Sequence, residues 1–519
     1  ELYLAHAPYG GRIEGLQAAT LAWFGKPPAR LTPAEAALMI ALPQSPESRR
    51  PDRFPAQATA ARRRVLERVG AQAEQHQTPL PTQLRPFVRL APHLADLAVR
   101  TDPLLRRHNL TVDADIQRRM ERLVARAVRN QVDGLSAALV VADHRTGEIL
   151  ASVGSPDYAA SSKTPGFVDM TRAVRSPGST LKPFVYAMAF DQGLAHPDTL
   201  IRDSPVSFGR YAPQNFDGQF RGVLSVREAL QLSLNIPPVL LLQELGPARL
   251  MSLLRRGGTV PRTSGGQAGL AVALGGVGLT LTELVQLYGA LANGGNVIPL
   301  TWQHSSGSPS TPLVSRSAAW QVSNILAGLA PPSGIAAQHH RVAYKTGTSY
   351  GHRDAWAIGY DGEHVIGVWL GRPDGTPVPG AFGGEMAAPV LFEAFGRLKS
   401  RAVPLSTPPP ETLILSTADL PRPLRHFRPR NAVFRSTLDA PEVSFPPEGA
   451  ILRSSGGGIP IKVRSGVMPL TVLLDGTPVL TNLRHREALL PLATEGFSRI
   501  SVIDAKGRAA AVNIRLDKH

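Results

Sequence analysis

Ser179 and Lys182 stand three residues apart in Ser176-Pro-Gly-Ser-Thr-Leu-Lys-Pro183, a hydroxyl that could attack and an amine that could take its proton. An unactivated serine is a poor nucleophile and needs such an adjacent base. A free lysine, with an ordinary pKa of about 10.4, is neutral in only about one molecule in a few thousand at pH 7, so a lysine base must have its charged form raised by about 4 kcal/mol. Burial and a second cation nearby supply that. Two later tripeptides fit the need. Ser233-Leu234-Asn235 sits in a leucine-rich helical stretch, and Lys345-Thr346-Gly347-Thr348 ends the apolar run Val342-Ala343-Tyr344. Lys345 is the natural second cation, and Ser233 could relay protons toward a leaving amine. Asn235 could orient a peptide backbone, Thr346 and Thr348 could hold a terminal carboxylate, and Gly347 could let substrate approach the strand. Alone, each tripeptide also reads as a helix serine or a strand-end lysine. In the order S-x-x-K, S-x-N, K-T-G the three could together serve acyl transfer through a serine ester.

The flanking segments supply elements to position these groups. Pro177-Gly178 is turn material, and a helix opening at Ser179 puts Ser179 and Lys182 on one face with free N–H groups beside the hydroxyl. Ala137–Asp143 and Glu148–Val153, joined by His144-Arg-Thr-Gly147, read as a hairpin whose continuous apolar character demands cover on both faces. Asp354–Tyr360 and Glu363–Leu370 flank Asp361-Gly362, a two-residue hairpin turn. With the run before Lys345 these make a central antiparallel five-stranded sheet, formed by the two ends of a domain with helices between, an α+β layered arrangement. Leu110–Gln117 starts a helix with Asp115 near its N-terminus and Arg118, Arg119 and Arg122 behind. Asn215 and Asp217, in Tyr211-Ala-Pro-Gln-Asn-Phe-Asp217, read as turn formers in preference to substrate contacts. Leu274-Gly-Gly-Val-Gly-Leu279 lacks the lysine of a phosphate loop, and Ser264-Gly-Gly-Gln267 is loop.

At 519 residues the chain is long enough for about three domains. Fifty-six Lys+Arg against 40 Asp+Glu leave a net charge of +16, most of it an Arg-rich solvated surface, with anionic lipid or an acidic polymer as the alternative reading. No nucleic-acid-binding pattern is present. Cysteine is absent, which excludes disulfides and thiol nucleophiles. His339-His340 has no ligand spacing, so neither a metal nor a cofactor is expected. No run of about 18 apolar residues predicts a transmembrane helix, and no signal peptide begins the sequence. The opening at Glu1, in mid-pattern and without Met, suggests an N-terminally incomplete fragment.

The three motifs together resemble the transpeptidase domain of class A penicillin-binding proteins, and the flanks are most similar to the 1C type. Tyr3-Leu4, Pro8-Tyr9-Gly10-Gly11, Glu14-Gly15, Phe24-Gly25-Lys26 and Leu42-Pro43-Gln44-Ser45-Pro46 resemble the end of a peptidoglycan glycosyltransferase domain. Its catalytic glutamates belong to motifs that do not occur here, so no glycosyltransferase activity is expected. The resemblance divides the chain into a helical glycosyltransferase remnant (1–65), an Arg/Pro-rich linker (66–109), the transpeptidase domain (110–400), a Pro/Arg-rich extended linker (401–430) and a small C-terminal β-sandwich (431–519). It implies catalytic Ser179, Lys182, Ser233 and Lys345, substrate binding by Asn235, Thr346, Gly347 and Thr348, and an oxyanion hole from the N–H groups of Ser179 and Thr348. It also implies stem peptides ending in D-Ala-D-Ala and lipid-linked precursors as substrates, β-lactams as covalent inhibitors and assembly proteins of the wall as partners. The implied place is the periplasmic face of the bacterial inner membrane, with attachment through an N-terminal anchor outside this sequence. A serine β-lactamase and a non-catalytic penicillin-binding scaffold are the competing readings; the first needs a deacylating glutamate and a compact single domain.

Overall fold

The computed structural model describes residues 2–519 apart from 71–76, 88, 106, 160–164, 210, 264, 267, 305–308, 334–341, 379, 381, 429–432, 435–439, 454–457, 492–495 and 518–519. The chain divides into two units, Glu1–Pro92 and His93–His519. The first is helical over Leu16–Phe24, Pro33–Ala41 and Pro55–Arg68, around a core that includes Tyr9, Trp23, Leu38 and Leu42. Thr32 starts the middle helix by a reciprocal cap: its hydroxyl accepts from Glu35 N at 3.3 Å and Glu35 accepts from Thr32 N at 2.7 Å.

The second unit is built on five strands, β1 (Ser136–Asp143), β2 (Ile149–Val153), β3 (Ala343–Thr348), β4 (Asp354–Tyr360) and β5 (His364–Gly371). All pairings are antiparallel in the order β2-β1-β5-β4-β3. The period of two divides each apolar strand between two cores. Ala138, Val140 and Ala142 join Trp356 and Ile358 on one face, while Ala137, Leu139 and Val141 join Ala355 and Ala357 on the other. The second face is covered by α1 (Ala114–Ala127) and α6 (Ala388–Leu398). The first is covered by α2 (Lys182–Asp191), α3 (Ile236–Leu245), α4 (Leu281–Ala292) and α5 (Arg316–Ala327). At the start of α1 the cap is Asp113, which accepts from Asp115 N and Ile116 N, both at 2.8 Å. Asp115 lies in the first turn and pairs with Arg118.

Two stretches expected as linkers are more tightly held than that word implies. Within 66–109, Pro92–Thr101 is a helix that buries His93, Leu94 and Ala98, and His93 Nε2 meets Gly166 O at 2.8 Å. Residues 402–428 form a strap along the central domain: Trp320 Nε1 donates to Ser406 O at 3.1 Å, Thr417 Oγ1 to Asp198 O at 2.7 Å and Phe427 N to Leu200 O at 2.8 Å. Leu420 in the strap is fully buried.

The C-terminal strands form a three-stranded sheet (Glu442–Phe445, Ile459–Arg464, Glu487–Leu490) and a five-stranded one. Residues such as Val443, Ile461, Val463, Val472, Ile500 and Ile514 from both sheets share one core, so this is a small β-sandwich.

Candidate active site

Gly178–Leu181 is one 3-10 turn that runs into α2. Residues three apart eclipse in such a turn, so Ser179 and Lys182 lie on one side. One bond closes the turn locally and three hold it from other elements. Thr180 Oγ1 donates to Pro177 O (2.8 Å), Tyr288 OH to Thr180 O (2.7 Å), Trp356 Nε1 to Ser176 O (2.9 Å) and Ser176 Oγ to Gly275 O (2.7 Å). The turn also presses on the K-T-G strand. Gly178 has φ +54°, and a Cβ there would lie 2.4 Å from Thr348 O, so only glycine fits. A Cβ on Gly347 would lie 2.7 Å from both Pro177 O and Thr180 Cγ2. That missing side chain lets turn and strand close on each other, while the Gly347 backbone also lines the cleft.

Behind Ser179 lie the two lysines, Lys182 at 0% and Lys345 at 2% exposure. Lys182 Nζ donates to Ser233 O, to Ser233 Oγ at 3.3 Å and to Asn235 Oδ1 at 2.7 Å. Lys345 Nζ donates to Ser233 Oγ at 2.8 Å and to Thr346 O at 2.9 Å. The Ser233 hydroxyl oxygen, with its two lone pairs, therefore serves both amines. Ser233 itself is left-handed, φ +55°. Burial first, then the Lys345 charge, drives the pKa of Lys182 well below the ordinary lysine value, with the Asp203 charge opposing. Burial brings Lys345 down to about 7. Among the described residues no hydrogen bond joins Lys182 Nζ to Ser179 Oγ, so taking the serine proton requires the amine to leave one of its present partners.

The loop before the S-x-N motif splits the two residues read as turn formers. Asp217 is exposed, accepts from Gln219 N at 3.0 Å and pairs with Arg221, a turn role. Asn215 is buried at 5% exposure and does something else. Its Oδ1 accepts from Asn235 N at 2.7 Å and its Nδ2 donates to both Asp203 oxygens at 2.9 Å. Nothing in the sequence marks Asp203, because a single aspartate at the end of a short strand carries no spacing signal until its partner is known.

Ser349 N donates to Asp354 O at 3.0 Å. By the alternation of an antiparallel pair, the N–H groups of Thr346 and Thr348 then point away from β4, toward the open edge. Ser179 N–H lies in the first turn of a helix and has no intrahelical acceptor. Thr348 Oγ1 accepts from Gly383 N at 3.2 Å. Ser179, Ser233, Asn235, Thr346, Gly347 and Thr348 all line one cleft of about 1110 Å³. Thus six of the eight expected site residues face the cleft and the two lysines lie buried beneath. Phe216, His352 and Phe382, in edge-to-face contact at 4.9–5.7 Å, rim it together with fully exposed Tyr350. The described residues hold no group of three or more His, Cys, Asp or Glu placed to bind a metal, and His339-His340 lies outside them.

A five-stranded antiparallel sheet covered by helices on both faces, with a serine turn packed on its K-T-G edge, defines a transpeptidase domain of the penicillin-binding kind. The family model "Penicillin binding protein transpeptidase domain" matches residues 137–391, "Transglycosylase" matches 1–70 and "Penicillin-Binding Protein C-terminus Family" matches 431–514. The chain belongs to the class A penicillin-binding proteins. It is 41% identical over 422 residues to penicillin-binding protein 1C of Escherichia coli (strain K12), across 79% of this chain and 54% of that protein. It is 32% identical to penicillin-binding protein 1A of Neisseria flavescens, across 53% and 37%. The chain thus spans about half or less of the curated relatives it matches. Among solved structures, penicillin-binding protein 1A from Haemophilus influenzae matches with a TM-score of 0.56 and 18% identity over 79% of this chain and 86% of that one. PonA1 from Mycobacterium tuberculosis, in complex with penicillin V, matches at 0.54 and 20% over 63% and 97%; both likenesses are of fold.

Proposed function

We propose that this chain is a serine D,D-transpeptidase of peptidoglycan, acylated on Ser179 by stem peptides ending in D-Ala-D-Ala and deacylated by an amine of a neighbouring stem. The observation that carries it is the pair of buried lysines sharing the Ser233 hydroxyl beneath the cleft that exposes Ser179. Ser179 Oγ attacks the carbonyl of the penultimate D-Ala and passes its proton to Lys182 Nζ. The developing oxyanion is met by the N–H groups of Ser179 and Thr348, a donor pair of which each member typically contributes on the order of 3 kcal/mol. Ser233 returns the proton to the leaving D-Ala amine, Lys345 keeping the neighbouring charge positive. Asn235 orients the peptide, and Thr346 and Thr348 hold its terminal carboxylate. β-lactams, which mimic that terminus, acylate the same hydroxyl.

Among the described residues that line the cleft there is no Asp or Glu, the general base for water that a class A β-lactamase needs, which favours a long-lived ester. In this reading 110–400 carries the reaction, 1–65 is the end of a glycosyltransferase domain, and 66–109 and 401–430 join the parts. The 431–519 sandwich serves stability or a partner, and the protein acts at the periplasmic face of the inner membrane. Intact-mass measurement after penicillin treatment tests the assignment: one adduct on the parent, none on Ser179→Ala, and slow turnover of a chromogenic cephalosporin. A parent chain without an adduct sinks it. Incubation with a stem peptide and an amine acceptor then separates an enzyme, which forms the cross-linked product, from a scaffold, which gives the adduct alone.

A further inference from the structure

Lys182 is aimed by a chain of hydrogen bonds that ends on a carboxylate outside the three motifs. Asp203, fully buried at the end of the strand Leu200–Asp203, accepts from Asn215 Nδ2 on both oxygens at 2.9 Å and from Arg221 N at 2.8 Å. Asn215 Oδ1 accepts from Asn235 N at 2.7 Å, and Asn235 Oδ1 accepts from Lys182 Nζ at 2.7 Å while Asn235 Nδ2 donates to Gln214 O at 2.6 Å.

Chemistry dictates which way each amide points. A backbone N–H only donates, so Asn215 turns its oxygen to Asn235 and its NH2 to the carboxylate, which only accepts. Gln214 O only accepts, so Asn235 turns its NH2 there and keeps its oxygen for the lysine. A neutral amide at position 203 puts a neutral acceptor in place of a charged one, which holds the Asn215 NH2 less strongly and leaves Gln219 O, at 2.8 Å, as its other acceptor. Asn215 keeps its oxygen toward the Asn235 N–H but is held less firmly, and Asn235, which aims the lysine, loses its firm support with it.

We propose that Asp203 is a positioning residue for acylation, acting through Asn215 to hold Asn235 against Lys182. This rests on the reading of Lys182 as the base. The charged groups that act on Lys182 are Lys345 from β3 and Asp203 from its strand; Tyr186, one turn along α2, feels the same Asp203 charge, and its buried hydroxyl has no hydrogen-bond partner among the described residues. Of these, Asp203 favours the protonated amine and Lys345 opposes it. Loss of the Asp203 charge therefore misplaces the base and also makes it easier to deprotonate, two effects with different signatures.

The test is the second-order rate of acylation by a fluorescent penicillin, followed from about pH 5 to 9, for the parent, D203N, N215A and the double variant, each checked for folding by thermal unfolding. Both single variants are expected to react on the order of 10²-fold more slowly at pH 8, the size of a base misplaced by about 1 Å. The double variant is expected to be no slower than the slower single, because the two residues act in series. The acid limb of D203N is expected to move down by roughly one pH unit, whereas N215A, which keeps the carboxylate, keeps the parent's limb. A merely structural role would slow both variants without separating their limbs. Rates within twofold of the parent, additive losses or an unmoved D203N limb overturn the proposal. If D203N does not fold, N215A decides: a slow rate on an unmoved limb supports it and a parental rate overturns it. A parent that takes no label overturns the transpeptidase reading and this inference together, while a labelled parent with unaffected variants overturns only the inference.

Discussion

Ser233 sits at φ +55°, a conformation that costs an L-residue about 1–2 kcal/mol, and in return its hydroxyl stands between two amines. Glycine there removes the hydroxyl and relaxes the backbone at once. Ser233→Gly is expected to slow penicillin acylation on the order of 10²-fold or more without lowering the melting temperature, as stopped-flow and calorimetry would show. A lower melting temperature would mean that the two lysine bonds outweigh the strain. Lys345 makes a pH prediction. Its pKa in the folded chain is about 7, below the roughly 10.4 of an unfolded chain. Between these values the unfolded state binds more protons, so stability rises with pH; the penalty of a buried ammonium is present in full below about 7 and fades above it. Melting temperatures at about pH 6 and pH 9 should therefore increase less for Lys345→Met than for the parent.

The turn that carries Ser179 has few internal bonds and is held by its neighbours. Trp356→Phe keeps an aromatic ring but removes the donor to Ser176 O. It is expected to cost about 1 kcal/mol in urea unfolding and to slow acylation, because the turn loses one of its three bonds to neighbouring elements. The strap makes a contrast of its own. Leu420 is fully buried and Leu413 is 40% exposed. Leu420→Ala should cost about 2–5 kcal/mol and Leu413→Ala about 0.5 kcal/mol or less. Equal, negligible effects would show the strap to be a free spacer in solution.

The sandwich has its own core, separate from the two that enclose the central sheet. Separate cores predict separate cooperative transitions. A covalent penicillin on Ser179 is expected to raise the calorimetric transition of the transpeptidase domain and leave that of the sandwich in place; a single transition that moves as a whole would instead show the two to be coupled. The first unit, Glu1–Pro92, has a further core of its own.

Much of this molecule was legible residue by residue. The hairpins at 137–153 and 354–370 and the cover on both faces of the sheet follow from turn chemistry and from continuous apolar runs, which depend only on neighbours in the chain. The eight candidate site residues could be named for the same reason, since each motif is a short run of reactive types. What remained hidden depends on groups far apart in sequence meeting in space. Asp203 acquires meaning only from Asn215 and Asn235, the space beside Gly347 only from the Pro177–Thr180 turn, and the docking of the 402–428 strap only from the helices beneath it. The aim of the Lys182 amine belongs to the same group: the chain places it one turn from Ser179, but its partners come from the Ser233–Asn235 segment some fifty residues on, and only packing brings them to it.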